Sequence, residues 1–242
     1  MSDLWFPGAN TSHKAPQDGG SIVSGYAPKV LWHDTETTGL PSYSTGYFPN
    51  MTICNGTPYQ HIPANRAGRA LKNPSGGVET NRGNVFQIEV CGYANKVAYH
   101  PVMTEVSEWL REVRGTPLEC SVKWKSYPDS YGATSVRLSG SAWKSYTGHL
   151  GHQHAPENDH GDPGWPFPID QILQGSGDDD LTPEEHTWLE NINKGLIAQG
   201  TTTANATIDI MMARIRNNEK YIGQLCEQAG IPFTPVDTSQ FS

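Results

Sequence analysis

The chain has no run of eighteen apolar residues, the length that would carry a helix across a bilayer. It has no CxxC pair, and its four cysteines, Cys54, Cys91, Cys120 and Cys226, are widely separated. Nothing in that spacing asks for a bridge, so free, buried thiols in a reducing compartment are the default expectation, with a disulfide left open. The first residues, Met1 to Gly8, hold neither a basic cluster nor an apolar core, which is not the pattern of a secretory signal. Positive charge is scarce as well: 17 Lys and Arg against 25 Asp and Glu leave a net charge of −8, which argues against a nucleic-acid partner.

The shortage is local. No Lys or Arg occurs between Ser145 and Asn193, yet Glu157, Asp159, Asp162, Asp170, Asp178, Asp179, Asp180, Glu184, Glu185 and Glu190 do. A cation is favoured there, although Asp178 to Asp180 read equally well as an acidic linker. What is abundant is glycine and proline, 25 and 18 residues, so many loops are expected in 242 residues.

The richest segment runs from Gly148 to Gly164. It carries His149, His152, His154 and His160 interleaved with Glu157, Asp159 and Asp162. Its glycines and prolines read as a loop. Imidazole and carboxylate together suit Zn²⁺, and a loop site with room for water suggests catalysis rather than a structural finger.

Residues 1–26 read as an irregular arm, rich in Gly, Pro and Ser. Lys29 to His33 reads as a strand whose last residue points into a site, followed by a turn over Thr35 to Gly39. Asn50 to Cys54 and Thr57 to Ile62 read as a hairpin around Asn55 and Gly56. Ala64 to Leu71 reads as a short helical or irregular crossing. Asn84 to Tyr93 is the clearest strand: Val85, Gln87, Glu89 and Cys91 share one face, and Phe86, Ile88 and Val90 the other. A glutamate on such a strand is costly unless it is paired, with Arg82 or Arg137 as candidates, or employed. Thr104 to Arg114 has helical spacing. The fold class is α/β, a central mostly mixed β-sheet flanked by helices, spanning 27–174.

Residues 175–180 read as a linker. Helices are expected to about Gln199 from the Thr182-Pro183 start, and from about Ala204 to Ala229. In the second, Ile208, Met211, Ile215, Ile222 and Leu225 follow a 3–4 repeat with Asn218 in the series, an a/d seam or a helix packed on its neighbours. Residues 181–242 thus read as a C-terminal helical segment, expected to serve oligomerisation or targeting.

Five stretches, Val30 to Glu36, Tyr59 to Pro63, Glu79 to Arg82, Phe86 to Ala94 and Gly151 to Gly164, together resemble the zinc-dependent type-2 N-acetylmuramoyl-L-alanine amidases. That family shares its fold with peptidoglycan recognition proteins, and the resemblance is to the endolysin domains of phages that infect actinobacteria. It covers about residues 27–173. It implies His33, His152 and Asp162 as zinc ligands, the last two fitting a Gly-His pair and an Asp-Pro-Gly triplet ten residues on. His149 also follows a glycine and is a lesser alternative to His152. The resemblance implies Glu89 as the base that activates the attacking water, and His160, two residues before Asp162, as the group that stabilises the oxyanion. Some members place a tyrosine near positions 49–51, where this chain has Pro49, Asn50 and Met51; Tyr47 or Tyr59 could replace it, or the role is absent. Glu36 reads as a residue behind the ligands or an exposed one. His154 is expected to orient the loop or line the cleft. Trp32, Tyr43, Tyr59 and Trp165 are candidates for a groove that holds sugar and stem peptide.

The implied activity is hydrolysis of the amide between N-acetylmuramic acid and L-alanine, with Zn²⁺ as cofactor and bacterial peptidoglycan as partner. A phage enzyme without a leader would be made in the host cytoplasm and reach the wall through a holin or similar route. The alternatives are a non-catalytic peptidoglycan-binding module and a zinc peptidase acting on the stem peptide.

Overall fold

A computed structural model describes residues 2–43 and 46–173. The chain divides into two units, Met1–Gly175 and Ser176–Ser242. The expected linker, the two C-terminal helices and their seam lie outside the described residues.

Five strands form one mixed sheet: β1 (Lys29–Asp34), β2 (Met51–Cys54), β3 (Thr57–Gln60), β4 (Val85–Val90) and β5 (Gly148–Gly151), in the order β3-β2-β4-β1-β5. β1 pairs in parallel with β4 and β5, β2 pairs in parallel with β4, and β2 and β3 are antiparallel. Among the described residues, three helices accompany them: α1 (Pro101–Arg114), α2 (Gly140–Ser145) and α3 (Ile169–Leu173).

The alternation read from β4 is the alternation of the sheet. Phe86, Ile88 and Val90 join Val30, Trp32, Met51 and Ile53 in a core closed by Val102, Met103, Val106 and Leu110 of α1. The helical spacing of these four residues explains the packing, since positions 3 and 4 apart share one helix face. α1 starts three residues before the expected Thr104, with Pro101 in its first turn, where a missing N–H costs nothing. It ends at Gly115, whose φ of 67° is a left-handed cap. On the other face, Leu31, Val85 and Leu150 pack with Leu71 and Trp143, the latter from α2.

The strand expectations for β1, β4 and the hairpin are met; Asn55 and Gly56 both have positive φ at its turn. The expectation of a loop from Gly148 is corrected. Gly148–Gly151 is a buried strand on the sheet edge, and His152–His154 is a single 3-10 turn. Glycine is needed rather than merely tolerated there, because a Cβ on Gly151 would lie 2.6 Å from the Trp124 ring. A second correction concerns sulfur. Cys54 and Cys91 form a disulfide, whereas Cys120 is a free thiol.

The arm lies on the sheet. Asn10 bridges to Tyr59 and Ser21 to Arg66, while Leu4 and Phe6 pack on the α1 core. No helix among the described residues is long and apolar enough to cross a membrane.

Candidate metal centre

Parallel pairing brings the site together. His33 near the end of β1 is the register partner of Glu89 on β4, and Glu89 is the partner of Thr52 on β2. Register partners point to the same face, so these three side chains form a row across the C-terminal ends of the parallel strands. β5 runs beside β1 and delivers His152 one residue past its end. Asp162 arrives from the loop beyond, where its backbone carbonyl accepts from Gln153 N–H.

Three ligand atoms then converge. His33 Nδ1 lies 3.0 Å from His152 Nδ1. Asp162 Oδ2 lies 3.3 Å from His152 Nδ1 and 3.5 Å from His33 Nδ1. A tetrahedral zinc with bonds of about 2.0–2.1 Å separates its ligand atoms by roughly 3.3 Å. The triangle therefore has the size that such an ion requires. The donor set also fits in charge. Burial pushes His33 down to about 4, with His152 adding to the effect, so its imidazole is neutral and keeps a lone pair. Burial works to raise Asp162, but His152, His160 and His33 hold its carboxyl well below the usual range, so it is anionic.

Glu89 stands beside this triangle, Oε1 3.9 Å from His33 Nδ1. Burial, and then the charges of Asp162 and Asp34, raise its carboxyl well above the ordinary value. Its Oε2 is buried without a hydrogen-bond partner, as are Nε2 of His33 and of His152. Gln87, two residues earlier on the same face, is the contrast. Its oxygen accepts from Ala70 N–H and its amide donates to Asn81, so it is a satisfied structural residue. Arg82 and Arg137, the candidate partners of Glu89, instead donate to the backbone carbonyls of Ser21 and of Gln153, Ser130 and Gly132. An orphaned buried carboxyl is costly and is kept where it has work to do. Asp34 adds a third carboxyl: burial, then Asp162 and Glu36, push it up to about 8.

His160 stacks on His152 with ring centroids 4.4 Å apart, its Nδ1 3.5 Å from Asp162 Oδ1. Its bond to Asp162 raises its pKa, and its side chain is 57% exposed, so it can reach a ligand above the metal triangle.

Other expected residues are elsewhere. His149 is fully buried on the α1 side, where its Nδ1 accepts from Trp32 Nε1. Trp32 is fully buried too, and a ring without exposed surface offers nothing to a substrate. His154 is likewise enclosed: Nδ1 contacts the Gly151 backbone, Nε2 donates to Lys123 O, and the ring sits edge-on to Trp124. It orients the turn after β5 and does not line a cleft. Tyr59 is half-buried under His13 of the arm, and Glu36 is exposed, its N–H donating to Asp34. Trp165 is 40% exposed.

Two features escaped the sequence reading. Tyr131, exposed beside His160 at a centroid distance of 6.5 Å, and Tyr127 next to it extend an aromatic rim from the site. Their Tyr-Pro-Asp-Ser-Tyr-Gly context was a turn signal in a stretch with no hydrophobic period. The second is a contact of Tyr43, a residue read from sequence only as a groove candidate: its hydroxyl lies 2.7 Å from Thr52 Oγ1, and Thr52 is the register partner of Glu89.

No family model matches the chain, and no curated protein matches it. Among solved structures, it is similar to N-acetylmuramoyl-L-alanine amidase LysC from Clostridium intestinale, at 15% identity and a TM-score of 0.38, over 64% of this chain and 89% of that one. It is also similar to a selenomethionine derivative of AmpD, at 15% identity and a TM-score of 0.43, over 72% of this chain and 98% of that one. The described part of the chain is a mixed five-stranded α/β domain with a His-His-Asp cluster at the C-terminal ends of its parallel strands.

Proposed function

We propose that this protein is a zinc-dependent amidase of bacterial peptidoglycan, a phage endolysin that cuts between N-acetylmuramic acid and L-alanine. The observation that carries the reading is the triangle of His33, His152 and Asp162 with an orphaned glutamate at its side. His33, His152 and Asp162 would hold the ion. When bound, zinc supplies Lewis acidity towards the amide carbonyl and eases deprotonation of water.

The chain's own groups supply the rest. Glu89 takes the proton of the attacking water and returns it to the departing amine, a double task suited to a carboxyl whose pKa burial has raised. His160 donates a hydrogen bond where negative charge develops on the carbonyl oxygen, and Asp162 favours its protonated form. Tyr131, Tyr127 and Trp165 offer exposed rings to sugar or peptide. The Cys54–Cys91 bridge suits action outside a reducing cytoplasm. Residues 175–180 serve as a linker in this reading, and 181–242 as an oligomerising or wall-targeting helical element.

The test is digestion of purified peptidoglycan by zinc-loaded protein, with identification of the new N-termini. New L-alanine amines, absent with Glu89→Ala, support the amidase. Amines on another residue make it a peptidase. Zinc uptake without any new amine overturns the hydrolytic reading in favour of binding alone.

A further inference from the structure

The aromatic rim beside His160 is fastened to the metal loop. Tyr127 and Tyr131 lie with ring centroids 6.2 Å apart, and Tyr131 reaches His160 at 6.5 Å. Ser130 Oγ donates to the Gly161 carbonyl at 2.7 Å, and Gly132 N–H donates to the Asp159 carbonyl at 2.7 Å. Gly161 permits this approach, since a Cβ there would lie 2.7 Å from Ser130 Oγ and 2.8 Å from Tyr131 N. Arg137 ties the same loop to the turn after β5, donating to the carbonyls of Ser130, Gly132 and Gln153. Asn95 holds the other end. Its side chain accepts from Tyr127 N–H at 3.0 Å and donates to Tyr127 O at 2.8 Å, while its own N–H donates to Pro163 O, two residues before Trp165.

Loops held in this way present their rings before any ligand arrives, so little ordering remains to be done on binding. Charge then decides what the rings suit. The stretches 126–132 and 157–165 contain Asp129, Glu157, Asp159 and Asp162, and no Lys or Arg. Asp129, Glu157 and Asp159 are exposed, and the terminal nitrogens of Arg137 are engaged by carbonyls. A peptide with its terminal carboxylate would meet like charge there. A neutral pyranose would not: its C–H face packs on an aromatic face, and its hydroxyls can donate to the exposed carboxylates. The site's own polarity agrees. Glu89 stands at the His33 corner of the triangle, whereas His160 stacks on His152 beside Asp162. A proton returned to the departing amine by Glu89 puts the peptide half of the substrate at the Glu89 edge. The acyl half, with its sugar, is left for the His160 edge, where the rim begins.

We infer that Tyr127, Tyr131 and Trp165 form a glycan subsite, which takes the neutral N-acetylated sugar chain on the acyl side of the scissile amide. The inference rests on the amidase reading for the identity of the sugar. It goes further in making the glycan, and not the stem peptide, the part of the polymer that the rim recognises.

The test uses the full-length, zinc-loaded protein and two probes: a peptide-free tetramer of N-acetylglucosamine, and the stem peptide freed of its sugar. Binding of each is titrated by calorimetry in wild type, Tyr131→Ala and Trp165→Ala. The tetramer is expected to bind wild type, and each variant to weaken it about threefold to tenfold, the effect of one lost ring face. Tyr131 and Trp165 lie on separate loops, so if one variant does not fold the other still decides. With peptidoglycan as substrate, the same variants should raise KM by a similar factor, because the lost contact is made equally in the bound and reacting states. A tetramer that does not bind wild type, or binds all three proteins alike, overturns the inference. Stem-peptide binding that falls in the two variants overturns it in favour of a peptide subsite. Ring-dependent tetramer binding in a protein that frees no L-alanine amine would overturn the amidase reading and leave the glycan subsite standing.

Discussion

His33 and Glu89 are register partners on adjacent parallel strands, with Nδ1 and Oε1 3.9 Å apart. A ligand and a base are thereby presented from one face at one level of the sheet. Their separation depends on strand spacing, which core packing on the α1 side holds rigid. The site's precision is therefore that of the sheet, while Asp162 and His160 depend on the loop after β5.

Removing the Glu89 carboxylate should stop catalysis and spare metal binding. Glu89→Gln is expected to lower kcat by about 10²–10⁴-fold, the usual worth of a positioned general base. Zinc content after dialysis should remain at wild-type level. Loss of zinc together with activity would make Glu89 a ligand instead.

The metal triangle predicts a large loss of affinity from any one of its members. His152→Ala or Asp162→Asn should fail to retain zinc through dialysis that leaves wild type loaded. At a zinc excess of about 100 times its Kd, wild type should gain about 2.7 kcal/mol of stability, readable as a rise in Tm. A wild-type Tm indifferent to zinc and to chelator would remove the metal from the account.

The Cys54–Cys91 bridge joins the strands of Thr52 and Glu89 two residues past that register pair. Closing a chain of 37 residues, it should stabilise the fold by about 2–4 kcal/mol. The Cys54→Ser/Cys91→Ser pair, or reduction, should lower the urea midpoint accordingly. An unchanged midpoint would mean that the bridge does not form in solution.

His149 gives a pH prediction with a definite sign. Burial pushes it from 6.5 down to about 3, so it is neutral in the fold while the unfolded chain binds a proton near 6.5. Its contribution is complete above about pH 6.5 and is lost as the pH falls towards the folded value, at up to about 1.4 kcal/mol per pH unit. His149→Gln, which keeps an acceptor for Trp32, should reduce the slope of stability against pH between 6 and 4 by about that amount. Equal slopes in wild type and variant would show that His149 is protonated in the fold.

Much of the fold was legible because its elements are short-period patterns. The alternation of Phe86, Ile88 and Val90 against Gln87 and Glu89 identified β4 and both of its faces, and Asn55-Gly56 marked the hairpin. β5 was not legible. Its Gly-His-Leu-Gly sequence has no strand propensity, and it is a strand because β1 offers it an edge and Trp124 leaves no room for a side chain. α2 and the Tyr127–Tyr131 rim lie in a stretch without periodic signal.

For the site, the family resemblance implied His33, Glu89, His152, His160 and Asp162, and the fold brings these residues together. The groove expectation fails for Trp32, which is fully buried, since chemistry by itself does not tell which side of a sheet a ring faces; of the two expectations for His154, the structure shows the loop-orienting one. Free thiols were the default expectation for Cys54 and Cys91, with a disulfide left open, and the structure pairs them. Their pairing follows from the register of β2 on β4, which no spacing along the chain encodes.

What the sequence by itself determined is the inventory: a mixed α/β sheet, an imidazole- and carboxylate-rich segment short of basic charge, and a strand glutamate without a local partner. Only the tertiary structure decided which of those groups meet. Parallel strands align residues far apart in sequence at one edge, so His33, Glu89 and His152 converge while His149, three residues from His152, is buried on the opposite face. Tyr43 belongs to the same lesson: it is 46 residues from Glu89 in the chain, and only the pairing of Thr52 with Glu89 places its hydroxyl beside the site.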